Sequence, residues 1–97
     1  MDQLTKPLHA HLVTMAYQGT THEQEHQMEH LFTLLAPDDE EAIVSYYGLF
    51  GQSRLSLAEI ARKRNETPEQ ALEAIGILLR RIAVTPEWQM LQNQLST

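Results

Sequence analysis

At 97 residues, 42% hydrophobic and 21% charged, the chain carries enough apolar material for one core and too little length for two. It has no cysteine, which excludes a disulfide framework and a thiolate metal site, and no run approaching the roughly 20 apolar residues of a membrane span. The formal net charge of −6 is unevenly spread: before Arg54 a single base, Lys6, stands against eight acids, whereas residues 54–81 hold six bases and four acids. A protein that binds duplex DNA normally shows a clear basic face, because phosphate neutralisation supplies most non-specific affinity, and here the basic excess is thin.

The spacing of Leu8, Leu12, Met15 and Ala16 predicts a first helix over residues 4–17, closed by Gln18, Gly19 and Thr20. A capping box, made by Thr20 with Glu23 or by Thr21 with Gln24, opens a second helix. Met28, Leu31, Phe32 and Leu35 carry that helix towards Pro37. Proline lacks an amide hydrogen and so suits the first turn of a third helix, where Asp38, Asp39, Glu40 and Glu41 meet the positive end of the helix dipole. Ala42, Ile43, Tyr46 and Tyr47 line this helix and Gly48 ends it.

Ser56 and Glu59 form another capping box, before a short helix with Leu57, Ile60 and Ala61 inward and Asn65 in a left-handed turn at its end. Thr67, Pro68, Glu69 and Gln70 make a third box and launch a longer helix with Ala71, Ala74, Ile75, Leu78, Leu79 and Ile82 inward. Thr85, Pro86 and Glu87 open a last helix bearing Trp88, Met90 and Leu91. No segment alternates with period two, so no sheet is expected. The predicted fold is all-α: a compact bundle of five or six helices in a single domain 1–97. Its parts are an acidic N-terminal helical pair (1–36), a helix-turn-helix part (37–82) and a C-terminal helix (83–97).

Leu35, Pro37 and the acids after it, then Tyr46, Tyr47, Gly48, Leu49 and Gly51, then Leu57, Ala58, Glu59, Ile60 and Ala61, then Thr67 and Glu69 ahead of Leu79, Arg80 and Arg81, follow a familiar order and spacing. Residues 35–82 resemble the fourth conserved region of bacterial sigma factors, in which a tyrosine-glycine-leucine turn precedes a helix-turn-helix. The resemblance implies a transcription-associated module that contacts promoter DNA, RNA polymerase or both. Thr67, Glu69, Gln70 and Glu73 would then face bases, while Arg62, Lys63, Arg64, Arg80 and Arg81 would hold phosphates. The chain departs from the family at Arg64 and Glu66, where aliphatic residues are usual, which suggests a loosened turn or a partner groove covering it. Without the family's other regions, it is not expected to initiate transcription alone.

The outward positions of the predicted recognition helix are Pro68, Glu69, Leu72, Glu73 and Gly76, and arginine and asparagine, which make bidentate purine contacts, are missing from them. Glu69, Leu72 and Glu73 therefore define an alternative: a protein-binding face on the same scaffold, with polymerase, a transcription regulator or a second copy as partner. His22, His26 and His30 lie four apart on one helical stripe. They are weak candidate metal ligands, since a solvated polar face accounts for them and zinc takes an enclosed four-ligand site. Tyr46, Tyr47, Phe50, Trp88 and Met90 read as core or inter-helix packing. No nucleophile stands beside a base and no glycine-rich phosphate loop occurs, so neither an enzyme nor a cofactor is expected. A cytoplasmic location is the default without a signal sequence.

Overall fold

Helical ends are where this sequence is most explicit, and six helices form among the described residues of the computed structural model, which covers residues 3–19 and 21–95. They are α1 (Lys6–Gln18), α2 (His22–Phe32), α3 (Pro37–Tyr47), α4 (Leu57–Arg64), α5 (Pro68–Ala83) and α6 (Pro86–Leu95), with no strand among those residues. None is long and apolar enough to cross a membrane.

Thr21 and Gln24 build a full reciprocal box on α2, at 3.2 and 3.3 Å; the alternative through Thr20 lies outside the described residues. Ser56 makes only half a box. It accepts the Glu59 amide hydrogen at 3.2 Å, but its hydroxyl donates to the Glu59 carboxylate at 3.1 Å, leaving the cap's own amide without that partner. Two boundaries differ from the sequence expectation. α1 begins at Lys6, with Thr5 as its cap and Pro7 in its first turn. α2 stops at Phe32, because Pro37 holds Ala36 extended (φ −62°, ψ 152°) and the chain must leave the helix to reach it. The Thr33 hydroxyl donates to the His30 carbonyl at 2.6 Å, and the amides of Leu34 and Leu35 bond three residues back. That tightened turn swings Leu35 into the core, 8% exposed.

The main core joins α1, α2, α3, α5 and α6 through Leu8, Leu12, Met28, Phe32, Ile43, Ile75, Leu79, Ile82 and Trp88. A smaller cluster, Ala42, Ile60, Ala61 and Ala71, fastens α4 to α3 and α5, and Tyr46 and Leu57 touch both. Small side chains at this junction let the helix backbones approach closely. The radius of gyration, 12.9 Å, is that of one compact body of this size. Met90 corrects the sequence reading. Trp88 and Leu91 point inward, three residues apart, which turns Met90 to solvent at 65% exposure.

Gly48 ends α3 in the left-handed region (φ 72°). The conformation favours glycine, and a β-carbon there would also crowd the Arg54 β-carbon at 3.1 Å. The His9 Nδ1 and the Tyr47 hydroxyl, 2.7 Å apart, tie α1 to α3 beside this turn. Burial first, and the neighbouring Tyr46 second, push the Tyr47 pKa well above the ordinary phenol range, so its hydroxyl keeps its proton.

Candidate functional site

α4 and α5 are joined by Asn65, Glu66 and Thr67, and short-range chemistry fixes this junction. Asn65 adopts the left-handed conformation (φ 58°, ψ 46°) and the Glu66 amide closes back on the Ala61 carbonyl at 2.8 Å. Thr67 Oγ1 accepts the Gln70 amide hydrogen at 3.1 Å, and Gln70 Oε1 accepts that of Thr67 at 2.9 Å. The capping box read from the sequence is therefore complete.

Arg64 and Glu66 do not loosen the turn. Arg64 Nε donates to Glu66 Oε1 at 2.8 Å, while Nη1 donates to Asp39 Oδ1 at 3.1 Å and to the Asp38 carbonyl at 3.3 Å. Their side chains are only 21% (Arg64), 26% (Glu66) and 23% (Asp39) exposed. These contacts form an ion-paired clamp that fastens the turn to the first turn of α3. The hydrogen bond to Glu66, and then that to Asp39, raise the Arg64 pKa despite its partial desolvation. The acid run at the start of α3 thus pairs with a base as well as meeting the helix dipole, and the Arg64 guanidinium is engaged by Asp39 and Glu66. Lys63 reaches Glu41 at 3.4 Å in a well-exposed pair, which holds it loosely.

The remaining candidates separate into two places. Arg62, Lys63, Thr67, Glu69 and Gln70 lie around the junction, and Glu73 one turn further along α5, all exposed. Arg80 and Arg81 are exposed in the last turn of α5, about 20 Å along its axis from Thr67 at the rise of an α-helix. Gln70 is the one amide at the margin of the outer face. Reading adenine needs both its oxygen and its nitrogen, and the oxygen is committed to the cap.

Outward from α5 stand Glu69, Leu72, Glu73 and Gly76, as the helical spacing predicts, with Leu72 at 48% exposure. Sequence reading missed two further apolar members of this surface, Ile77 at 50% and Val84 at 60%. A signal was present: four residues of α-helix bring Ile77 to within about 40° of Glu73 around the axis. The resulting face is acidic at its start, apolar through its middle and basic at its end.

His22, His26 and His30 are exposed along α2, and no three histidine, aspartate or glutamate side chains among the described residues are grouped to hold a metal ion. His26 and His30 instead line an open groove of about 420 Å³ between α2 and α6, with Leu31, Glu87, Met90 and Leu91. No family model matches this chain, and no curated protein and no solved structure matches it either.

Proposed function

We propose that this chain is a transcription-associated module on a sigma-region-4-like helix-turn-helix, with α4 and α5 as the two helices of the motif, and that the outward side of α5 meets protein in place of base edges. The surface of α5 carries this reading. At the end of the helix that a DNA reader would insert into the major groove, Glu69 and Glu73 are exposed, where phosphates repel them. Leu72 and Ile77, each about half exposed, stand on either side of Gly76 around the helix, and aliphatic side chains interspersed with charge suit a protein surface better than a phosphate-lined groove. Arg64, the base nearest the turn, is engaged with Asp39 and Glu66.

A second reading keeps promoter DNA as the partner. It is favoured by Arg62 and Lys63, exposed beside the start of α5, where the positive helix dipole also favours a phosphate. A gel-shift series over salt concentration on promoter fragments separates the two. The protein-facing reading expects no retardation at low salt, and no change on Leu72→Asp or Arg80→Glu. Retardation that weakens steeply with salt and disappears in Arg80→Glu overturns it in favour of phosphate contact.

A further inference from the structure

The groove between α2 and α6 shares no residue with the outward side of α5 and lies outside residues 35–82. Leu31 and Leu91, buried members of the main core, form its floor, and the exposed Met90 stands on the α6 wall. Around α6, Glu87, Met90 and Leu91 fall within about 100° of one another, and around α2, His26, His30 and Leu31 fall within about 140°. Each helix thus turns one continuous strip to the groove. From Glu87 to Gln94 the α6 strip runs for about 10 Å at the rise of an α-helix.

Charge selects the occupant. α2 contains Glu23, Glu25 and Glu29, α6 contains Glu87, and neither helix has a lysine or an arginine. Glu23 falls inside the α2 strip, one turn before His26, Glu29 stands about 60° beyond His26 at its outer edge, and Glu87 lines the opposite wall. All three are exposed, and none is engaged in an ion pair among the described residues. An apolar floor between such carboxylates is complementary to an aliphatic stripe flanked by cations, and it repels nucleic acid and anionic lipid headgroups alike.

We infer that this groove docks a basic amphipathic helix of a partner protein, with the aliphatic stripe on Leu31, Met90 and Leu91 and its cations against Glu23, Glu29 and Glu87. Anchors at i, i+4 and i+7 of such a helix span about 10 Å, the length of the α6 strip. Met90 suits the wall because an unbranched thioether adapts to whatever side chain is laid beside it. The most basic helix of this chain, α4, has its own Ile60 and Ala61 buried, so a second copy offers no free apolar stripe there. The site goes beyond the α5 reading and does not depend on what meets α5.

Titration of the full chain with two synthetic helices, followed by calorimetry and by amide chemical shifts, tests this. Both are about 15 residues long, enough for an alanine-rich helix to begin to form in isolation. The first is alanine and lysine with leucine at i, i+4 and i+7, and the second has glutamate in place of every lysine. The lysine helix binds with a dissociation constant of about 10–100 µM, moving the signals of residues 26–31 and 87–94, and the glutamate helix does not bind. Met90→Lys, at an exposed position, lowers the affinity at least about tenfold with helical content unchanged. Leu72→Lys, on α5, leaves the affinity as it was.

No saturable binding of the lysine helix up to about 1 mM overturns the inference, as does equal binding of the glutamate helix or an affinity untouched by Met90→Lys. Binding lost in Leu72→Lys and kept in Met90→Lys puts the peptide on α5, which removes this site and leaves the protein-facing reading of α5 standing. Groove signals of the wild type that move with its own concentration, and stay still in Met90→Lys, assign the groove to a second copy and overturn the separate partner.

Discussion

Replacing Arg64 by alanine separates an arginine that holds the fold from one that holds phosphate. The substitution removes three hydrogen bonds at 2.8, 3.1 and 3.3 Å and leaves Glu66 and Asp39, each about one-quarter exposed, facing one another's surroundings without their cation. Hydrogen bonds to charged groups contribute about 1.5–3 kcal/mol when well buried, and fully exposed pairs about 0–1 kcal/mol. Water rehydrates these carboxylates in part, so the expected loss lies between, at about 1–2 kcal/mol. In a domain of this size each kcal/mol moves the thermal midpoint by about 4–8 °C, which gives a fall of about 5–15 °C. Thermal unfolding followed by circular dichroism measures it, with Arg62→Ala, at an exposed position on the same helix, as the control expected within about 0.5 kcal/mol of wild type. Asp39→Asn combined with Arg64→Ala should cost less than the two separately. If Arg64→Ala matches Arg62→Ala in stability yet weakens retention of duplex DNA, the clamp is not structural and Arg64 belongs with the phosphate contacts.

Further outcomes follow from local geometry. Gly48→Ala forces a β-carbon into a left-handed backbone and against Arg54, and should destabilise by about 1–2 kcal/mol; Gly76→Ala, in open helix, should stabilise by about 0.5–1 kcal/mol when urea unfolding is run on dilute protein. Thr67→Ala removes the cap hydroxyl that accepts the Gln70 amide hydrogen and should cost about 1 kcal/mol in the same assay. Burial lowers the His11 pKa from its ordinary 6.5, so on acidification the unfolded chain takes the proton first. The stability this group contributes is therefore present above 6.5 and declines as pH falls below it. Urea midpoints should fall between about pH 7 and about pH 5, and His11→Phe should flatten that part of the slope. The single tryptophan, Trp88, is 1% exposed with its ring 5.8 Å from that of His11, and its emission reports both transitions.

Helix type and order were legible because caps and prolines act within a few residues. Thr21 with Gln24, Thr67 with Gln70 and the left-handed Asn65 are all realised at the positions their chemistry indicates. What escaped was set by contacts between elements. Leu35 lies outside α2 yet is buried, since the turn before Pro37, and not helical periodicity, aims it inward. Met90 falls on the exposed side of α6 because Trp88 and Leu91 claim the core. The Arg64 clamp joins residues 25 positions apart, and no local pattern reveals that pairing. The outer face of α5 was half visible: Leu72 between two glutamates stood out, whereas Ile77 was hidden by its similarity to the inward residues beside it.

Amide chemical shifts of the isotopically labelled protein, followed during titration with duplex promoter DNA at low salt, address the outward side of α5 most directly. The protein-facing assignment expects the signals of residues 67–77 to stay in place while DNA is added. Saturable movement of Thr67, Glu69, Gln70 and Glu73, reversed by salt, would show that bases are met there and would contradict it.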